Sequence, residues 1–251
     1  MNKITSVTNN KIKDYSKLHQ KKYRETSDLF SVEGEKPFEE IIAAGVVIED
    51  VFVCESSLDK YKNIPKLNIC NEAVMKKLSS TDSPASIVTV AQKPQIDINM
   101  LSSTHNVALL ENIKDAGNLG TIIRSAAAFD IDALILYGDT VDLYNSKVIR
   151  SAAGNFFKIP TIKLSSIEEL KSAFDGFELI STALTGKPSY NFSSQNKNKQ
   201  KIIMLGSEAS GLTPDLTEIA DYNYIIPINK TVESLNLSVA ASIVFYELFK
   251  Q

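Results

Sequence analysis

The first hundred residues alternate between short apolar runs and amphipathic segments. Apolar runs bounded by polar or turn residues are typical of strands, and apolar positions that recur every three or four residues are typical of helices. The pattern predicts strands at residues 30–33, 51–53 and 87–91, and helices at residues 9–22, 36–44 and 72–78. This alternation indicates a small α/β sandwich.

The second part of the chain has the pattern of a parallel α/β sheet. A strand at residues 107–110 leads through a turn that contains glycine into a helix at 121–129 and a strand at 133–136, which together form a βαβ unit. Further patterns predict strands at residues 178–181, 202–205 and 224–226, a polar loop at 193–201 and a closing helix at 235–249. Residues 92–98 are punctuated by polar residues and proline, so we predict two domains, 1–100 and 101–251.

Charge is distributed unevenly along the chain. The formal net charge of −3 is unusual for a protein that binds RNA phosphates, because such binding recruits lysine and arginine. Residues 1–24, however, hold seven lysines and arginines against the single carboxylate of Asp14, a local charge of +6. Lys17, Lys21 and Arg24 have the spacing of residues that share one helical face. A basic face of this kind can bind the phosphates of RNA. The alternative is a solvated surface helix, which has the same composition.

The sequence disfavours several classes of protein and site. No apolar run is long enough to span a bilayer and the start lacks the apolar core of a signal peptide, so we expect a cytoplasmic protein without membrane contact. Cys54 and Cys70 are too few for a disulfide framework, and neither they nor His19 and His105 have metal-ligand spacing, so we expect no metal. A Gly-Lys-Ser/Thr phosphate loop is absent, and the turn at residues 117–120 lacks the third glycine of a dinucleotide fingerprint.

The loop at residues 112–124 follows a predicted strand, and ligands of α/β proteins bind at the carboxyl ends of strands. Two glycines and Asn118 give the loop a tight turn, and Arg124 comes one helical turn beyond Gly120. An arginine in the first turns of a helix opposes the helix dipole, which suggests an anionic partner such as phosphate. Taken alone, Arg124 is better explained by a surface ion pair with a carboxylate.

Two more loops of unusual composition follow predicted strands. Residues 205–212 hold Glu208 between two glycines, where the simplest interpretation is a turn that caps a helix. Residues 226–238 carry Ser234 and Asn236 at the entry of the last helix. Capping explains one of these two residues but not both.

In this order and at these separations, the three loops resemble the signature motifs of the SpoU (TrmH-like) family of RNA 2′-O-ribose methyltransferases, in the SPOUT superfamily. The similarity extends through residues 147–157 and covers nearly all of residues 106–251. Residues 30–34 and the preceding basic segment resemble, less specifically, the substrate-binding domain of the family.

The resemblance implies a fold, a cofactor and partners. The fold is α/β: a small amino-terminal α/β RNA-binding domain, L30e-like, is followed by a SPOUT α/β domain whose carboxyl end forms a trefoil knot, a rare exception to unknotted topology. The cofactor is S-adenosylmethionine, held in the knot by backbone groups of the second and third loops. The partners are RNA and a second copy of the chain, with the active site at the homodimer interface.

The resemblance also assigns site residues by position. The catalytic positions fall on Arg124, Asn118, Glu208, Ser234 and Asn236. The cofactor-binding positions fall on Leu205, Gly206, Ile226, Leu235 and Asn236. The RNA contacts that we expect are Lys13, Lys17, Lys21, Arg24 and Arg150.

Two positions depart from the family pattern. Ala209 stands where a glycine often follows the glutamate, and Lys230 stands where the third motif usually has glycine. If the cofactor loop needs a positive φ at residue 230, lysine costs about 1 kcal/mol there.

Methyl transfer to a ribose requires removal of the proton of the 2′-hydroxyl as the hydroxyl attacks. The resemblance assigns this step to Arg124, although guanidinium holds its proton with a pKa above about 12. We therefore expect Arg124 to bind the adjacent phosphate and to lower the pKa of the hydroxyl, with Arg124, a phosphate oxygen or water as the acceptor. Asn118 would orient the ribose or Arg124. Glu208 as the general base is the competing assignment.

The expected function is 2′-O-methylation of a ribose in large-subunit ribosomal RNA. A separate amino-terminal domain looks more like the ribosomal RNA members of the family than the shorter transfer RNA members. The alternatives are a transfer RNA 2′-O-methyltransferase, a non-catalytic RNA-binding or ribosome-assembly protein, and a small-molecule α/β enzyme, for which the basic segment has no use.

Overall fold

The computed structural model describes residues 2–81, 83–183, 187–192 and 198–250. The chain divides into two compact units, the first formed by Met1–Gln95 with Asp142–Arg150 and the second by Ile96–Val141 with Ser151–Gln251. The sequence pattern did not predict that Asp142–Arg150 joins the first unit. This segment is held there by an ion pair between Arg24 and Asp142 and by stacking of Tyr144 on Phe30 at a centroid distance of 4.8 Å.

The first unit is built on a mixed five-stranded sheet. Its strands are β1 (Asn2–Ile4), β2 (Leu29–Glu33), β3 (Ile48–Cys54), β4 (Leu67–Cys70) and β5 (Ile87–Gln92), in the order β1-β4-β3-β5-β2. Strands β1, β4 and β3 run parallel, and β5 is antiparallel to β3 and β2. The helices are α1 (Asn10–Ser16), α2 (Lys21–Glu25), α3 (Glu35–Ala43), α4 (Leu58–Tyr61) and α5 (Glu72–Leu78).

Helices cover both faces of this sheet because successive residues of a strand point to opposite sides. Phe52 of β3 belongs to a buried cluster with Ile12 of α1 and Met75 of α5. Its neighbour Val51 belongs to another cluster, with Phe38 of α3. Helices α1 and α5 thus lie on one face, and α3 and α4 on the other.

The basic helix expected at residues 9–22 is interrupted. Helix α1 ends at Ser16, a 3-10 turn follows at Lys17–His19, and α2 begins after Gln20, whose backbone is extended (φ −99°, ψ 131°). The interruption lets Leu18 turn into the core, where it is 5% exposed. Lys17 and Arg24 therefore do not share the face of a continuous helix.

The structure contradicts the expected RNA contact of Arg24. Its side chain is buried, donates from Nη1 to the carbonyl oxygen of Leu18 at 2.6 Å and pairs through Nε with Asp142. A guanidinium that is desolvated and already bonded to a carboxylate is not available to a phosphate. Arg24 instead fixes the segment that contains Asp142 to the first unit.

Replacing Arg24 with alanine is expected to lower the free energy of unfolding by about 3–5 kcal/mol, because it leaves the carboxylate of Asp142 without its partner. The matched control is Lys21→Ala, which removes an exposed lysine 3.6 Å from Glu25 and should change stability by less than about 1 kcal/mol. Urea unfolding of both variants measures the difference. Equal, small losses would show that Arg24 is not a structural residue.

The second unit is built on a parallel sheet, as the sequence pattern predicts, and this sheet has six strands. Its strands are β6 (Asn106–Glu111), β7 (Ala133–Tyr137), β8 (Thr161–Leu164), β9 (Glu178–Ser181), β10 (Lys201–Leu205) and β11 (Tyr222–Asn223), in the order β11-β9-β10-β6-β7-β8. Every neighbouring pair is parallel. The helices of this unit are α6 (Ala116–Ala128), α8 (Ile167–Ala173), α9 (Pro214–Ile219) and α10 (Leu237–Phe249), whereas α7 (Ser146–Ser151) lies almost wholly in the segment that joins the first unit.

The central strands of the second unit are apolar on both faces, as expected for a covered parallel sheet. All residues of β10 and all but the first of β6 are buried. Val107 and Leu109 of β6 pack in a cluster with Leu170 of α8 and Leu216 of α9. Helices α6 and α10 pack against each other, and the hydroxyls of Ser125 and Ser242 lie 2.7 Å apart between them.

Two predicted elements differ from the structure. Helix α6 starts at Ala116 instead of residue 121, because the side chain of Asp115 caps it by accepting from the backbone N–H of Asn118 at 2.8 Å. The strand predicted at 224–226 is replaced by the shorter β11, because the chain leaves the sheet after Tyr224 donates to Ser181. Of the loop predicted at 193–201, residues 193–197 lie outside the described part.

The described part of the chain gives no sign of a disulfide or a metal cluster. Cys54 and Cys70 are free thiols, and burial raises the pKa of Cys70 to about 12. Across these residues, no group of three or more histidine, cysteine or acidic side chains could hold a metal ion. None of the helices within the described ranges has the length and apolar character to cross a bilayer.

Candidate active site

The sheet topology of the second unit brings the first two loops together. Strands β6 and β10 are neighbours, and Leu110 is in register with Leu205. The loops that follow these strands therefore begin side by side at the carboxyl edge of the sheet, where open α/β sheets bind ligands. Strands β9 and β11 end at the same edge, so the third loop starts there as well.

A chain of hydrogen bonds joins three of the predicted catalytic residues. The Nδ2 of Asn118 donates to Oε1 of Glu208, and the Nδ2 of Asn236 donates to Oδ1 of Asn118 at 3.1 Å. Each of the three loops contributes one side chain to this network. Asn118 is half-buried, whereas Glu208 and Asn236 are exposed.

The cap of the last helix is Asn236. Its Oδ1 accepts from the backbone N–H of Ser238 at 2.9 Å and from that of Val239 at 3.4 Å. This leaves Ser234 without a capping function, and its exposed side chain lies at the wall of a cavity. A role for Ser234 in binding therefore stays a prediction.

Glu111 anchors the second loop, and the sequence pattern gave no reason to select it. This carboxylate ends β6, is 2% exposed, and accepts from the backbone N–H of Thr213 at 2.8 Å and from the hydroxyl of Thr213 at 2.7 Å. The exit of the second loop is thereby bonded to the strand from which the first loop starts. A carboxylate at the end of an otherwise apolar strand was the available signal.

A cavity of about 330 Å³ opens beside this network, at the ends of β9, β10 and β11. Four of the five residues predicted to bind the cofactor line it, namely Leu205, Gly206, Ile226 and Leu235. The fifth, Asn236, lies next to the cavity as the helix cap. Thr182 and Tyr224 also line the cavity and were not predicted, although each directly follows a strand. Burial raises the pKa of the Tyr224 phenol above its ordinary value.

The lining of the cavity fits a cofactor with a flat apolar base and polar edges. Leu205, Leu235 and Val244 supply apolar contact surface. The segment between β11 and α10 has no helix or strand, and within the described residues the backbone N–H groups of Ile226 and Ile228 donate to no protein acceptor. Backbone groups without partners in a part-buried wall are available to a ligand.

Gly206 allows the second loop to close on itself. A Cβ at this residue would lie 2.0 Å from the backbone carbon of Gly211 and 2.2 Å from the backbone nitrogen of Leu212. The two arms of the loop are also joined by reciprocal backbone hydrogen bonds between Ser207 and Gly211. A side chain at residue 206 would therefore force the cavity wall apart.

The two departures from the family pattern cause no backbone strain. Neither Ala209 nor Lys230 is among the described residues with a positive φ. The energetic cost considered for lysine at residue 230 therefore does not arise in this conformation.

Arg124 lies apart from the hydrogen-bond network of its own chain. Its side chain is exposed and has no hydrogen bond or ion pair with any described residue, so the surface ion pair considered for it is not formed. It is the ninth residue of α6, and the argument from the first turns of a helix does not apply. Six residues after Asn118, it lies about 9 Å further along the helix axis and about 120° around it. Asn118 therefore does not orient Arg124 within one chain.

The remaining residues predicted to contact RNA lie in the first unit and are exposed. The ammonium group of Lys13 has no hydrogen bond or ion pair with a described residue, whereas Lys17 pairs with Asp14 at 2.8 Å and Lys21 with Glu25 at 3.6 Å. Arg150 donates to the hydroxyl of Ser80 at 3.2 Å.

Comparison with known proteins identifies the family to which the chain belongs. Residues 105–246 match the SpoU rRNA Methylase family, and residues 9–89 match the MRM3-like substrate binding domain. The chain belongs to the SpoU rRNA methylase family. The predicted family, enzyme class and cofactor are thereby confirmed, because members of the SpoU family transfer methyl groups to RNA from S-adenosylmethionine.

Individual SpoU proteins are similar over most or all of the chain. The 23S rRNA (guanosine(2553)-2'-O)-methyltransferase RlmP of Bacillus subtilis is 33% identical, and the alignment covers 99% of each protein. The 23S rRNA (uridine(2479)-2'-O)-methyltransferase of Streptomyces viridochromogenes is 26% identical over 72% of this chain and 65% of that protein. The crystal structure of the AdoMet-bound rRNA methyltransferase from Sinorhizobium meliloti superposes with a TM-score of 0.87 and 26% identity, covering 99% of this chain and 97% of the other.

Proposed function

We propose that this protein methylates the 2′-hydroxyl of a ribose in 23S ribosomal RNA. The observation that carries the proposal is the hydrogen-bond network of Asn118, Glu208 and Asn236 beside a cavity with unpaired backbone groups. The choice of ribosomal RNA is supported by relatives that are named for 23S rRNA and by the match of residues 9–89 to a substrate binding domain. A transfer RNA substrate is the alternative.

The residues around the cavity would hold the cofactor and position the ribose. S-adenosylmethionine supplies a methyl group on a positively charged sulfur, which makes the methyl a good electrophile. The backbone of Ile226 and Ile228 and the side chains of Leu205 and Leu235 would hold it, and Asn118 would orient the ribose. Positioning of this kind contributes most of the rate when the electrophile is already activated.

Arg124 would bind the phosphate next to the reacting ribose and stabilise the developing alkoxide. Its guanidinium has no protein partner in the described part of the chain, so its five N–H donors are available to phosphate oxygens. A fixed positive charge near the 2′-hydroxyl lowers the pKa of that hydroxyl. The proton can then pass to a phosphate oxygen or to water, because a charged guanidinium has no site that accepts a proton. Arg124 would be the acceptor only as a neutral guanidine, without the charge that this role uses.

Glu208→Gln separates this account from general-base catalysis by Glu208. Glutamine keeps an oxygen that can accept from Nδ2 of Asn118 and loses the charge, so we expect methyl transfer to fall by about tenfold or less. If Glu208 were the base, the loss would be about 10²–10⁴-fold. The rate of methyl transfer from radiolabelled cofactor, measured across pH, tests this. A large loss with an altered pH profile would reassign the proton acceptor to Glu208.

A homodimer is the second part of the proposal. The outer face of α10 exposes Val239, Tyr246 and Phe249, with relative exposures of 47%, 47% and 54%. Tyr246 and Phe249 also stack with Phe129, at centroid distances of 5.7 and 6.0 Å. An apolar face of this kind is typical of a surface that a second subunit covers. Because Arg124 lies apart from the network of its own chain, we propose that it completes the site of the partner.

Substitution of this face is expected to break the dimer. Tyr246→Glu would place a charge in an apolar interface, where a desolvated and unpaired carboxylate costs several kcal/mol. The control is Lys163→Glu, at an exposed residue of β8. Light scattering after gel filtration should give a dimer for the parent and the control, and a monomer for Tyr246→Glu. A monomeric parent, or a Tyr246→Glu variant that stays dimeric, would contradict the proposed interface.

The trefoil knot, the L30e-like domain and a cytoplasmic location complete the proposal. The knot is supported by the segment from Tyr224 to Ser234, which lines the same cavity as the second loop before α10 packs on α6. The RNA-binding domain is supported by its mixed sheet with helices on both faces. The cytoplasmic location is supported by the ribosomal RNA substrate of the relatives and by the free thiols.

Isothermal titration with S-adenosylmethionine tests the proposed function against a scaffold protein. We expect saturable binding to the parent protein with one site per chain. Absence of binding at millimolar cofactor would favour an RNA-binding or ribosome-assembly protein in which the second unit is a dimerisation platform.

A further inference from the structure

The two faces of the sheet in the first unit carry opposite charge. Helices α1 and α5, on one face, together contain four lysines and two carboxylates, a net charge of +2. Helices α3 and α4, on the other face, contain two lysines and four carboxylates, a net charge of −2. The weak charge of the whole protein therefore conceals one basic face on this unit.

A groove runs along the basic face. One cavity is lined by residues of α1 and its 3-10 turn together with Lys77 of α5, and a second cavity is lined by Val7, Lys13, Lys76 and Lys77. Lys13 and Lys77 line both cavities, so the two adjoin between α1 and α5, and we call them together the groove. Lys76 and Lys77 were not among the residues predicted from the sequence to contact RNA.

Three of the lysines in the groove are not neutralised. Lys13, Lys76 and Lys77 are exposed, and none of their ammonium groups has a hydrogen bond or ion pair with a described residue. The carboxylate in the first cavity, that of Asp14, is paired with Lys17 at 2.8 Å. The groove therefore presents positive charge without a counterion from the described part of the protein.

Resting on the proposed function, we infer that this groove binds the phosphate backbone of the substrate RNA, with Lys13, Lys76 and Lys77 as its phosphate contacts. Lysine is suited to this task because its ammonium group meets phosphate as a mobile point charge. Lys76 and Lys77 also lie in the last turn of α5, where a cation stabilises the helix dipole. Stabilisation of the helix dipole explains one lysine near the end of α5. It does not explain why both Lys76 and Lys77 line the groove together with Lys13.

The test compares two double variants that remove the same charge from opposite faces. Lys76→Ala with Lys77→Ala removes two groove lysines, and the control, Lys36→Ala with Lys62→Ala, removes two exposed lysines from the acidic face. The measurement is the affinity for a fluorescently labelled 23S ribosomal RNA transcript over a series of salt concentrations. We expect the groove variant to bind on the order of tenfold more weakly and to lower the slope of log K against log salt by about 0.7–0.9 for each lysine. The control should bind like the parent.

Each of the following results would contradict the proposal that the groove binds RNA phosphates. Equal losses in the two double variants would show that net charge alone matters. If the groove variant bound the RNA transcript as tightly as the parent, Lys76 and Lys77 would not contact RNA. A lowered melting temperature with an unchanged salt slope would leave them only a role at the helix end. Methyl transfer assayed in parallel keeps the two claims apart: an inactive parent contradicts the proposed function, whereas an active parent whose KM for RNA is unchanged by the groove substitutions contradicts the groove alone.

Discussion

Replacing Arg124 with alanine is expected to lower the rate of methyl transfer by about 10²–10⁴-fold, because it removes the cation that would hold the phosphate and stabilise the developing alkoxide. The affinity for S-adenosylmethionine should not change, because Arg124 does not line the cavity. Folding should also be unaffected, because the side chain is exposed and bonds to no described residue. Single-turnover methyl transfer and cofactor titration measure the two effects separately.

Arg124→Lys distinguishes the roles of charge and geometry. Lysine keeps the positive charge and loses the planar fork that binds two phosphate oxygens at once, so most of the loss should persist. The control is Lys163→Ala, which removes an exposed cation from β8. Near-normal methyl transfer by Arg124→Lys with unchanged RNA affinity would contradict the role given to Arg124.

Substitution of Gly206 with alanine should produce the largest loss of cofactor affinity. A Cβ 2.0 Å from the backbone of Gly211 cannot be accommodated by a side-chain movement, so the wall of the cavity must open. Overpacking against a rigid neighbour costs about 3 kcal/mol, which corresponds to about a hundredfold in the Kd for S-adenosylmethionine at about 1.4 kcal/mol per tenfold. Isothermal titration measures this change.

Gly211→Ala is the matched control in the same loop. Gly211 has a φ of +66° but open space around the position of a Cβ, so alanine costs only about 1 kcal/mol of backbone strain. The Kd should rise by less than about tenfold. If the two variants bound the cofactor equally well, close approach at Gly206 would not shape the site.

A mixture of Arg124→Ala and Gly206→Ala, assayed at a cofactor concentration that leaves Gly206→Ala unoccupied, tests whether the active site is shared between subunits. In a heterodimer of an Arg124→Ala chain and a Gly206→Ala chain, one site combines an intact cofactor loop from the first chain with Arg124 from the second. Methyl transfer should therefore reappear on mixing and subunit exchange. If each site used the Arg124 of its own chain, every site would carry one defect and the mixture would stay inactive.

Elements with a marked boundary could be predicted from the sequence. Helix α5 and strand β9 have the predicted bounds because an asparagine cap or a polar boundary marks where the apolar pattern starts. Strands β4 (Leu67–Cys70) and β8 (Thr161–Leu164) were not predicted, because Asn68 and Lys163 interrupt the apolar run of each. Their place in the sheets depends on tertiary pairing.

The basic segment shows why burial could not be predicted from charge. Lys17, Lys21 and Arg24 have helical spacing, but the buried Leu18 and the extended Gln20 break the helix between them. Arg24 then meets the carboxylate of Asp142, which is 118 residues away in the sequence. An ion pair between residues so far apart in the sequence cannot be predicted from the local pattern of hydrophobic and polar residues.

The candidate site was predictable as a set of residues but not as a geometry. The motifs select Asn118, Glu208 and Asn236, and the structure bonds them to one another. The same motifs select Arg124, which the helix turns away from this network. Lys76 and Lys77 carry no motif at all, and their place in a groove depends on α1 packing beside α5.

The most direct measurement of the central claim is methyl transfer to RNA followed by mapping of the product. Unmodified 23S ribosomal RNA is incubated with the parent protein and S-adenosylmethionine, and ribose methylation is located by its resistance to alkaline cleavage. The account predicts one new 2′-O-methyl group with the parent protein and none with Arg124→Ala. Methylation on a base, or equal methylation by the parent and Arg124→Ala, would contradict it.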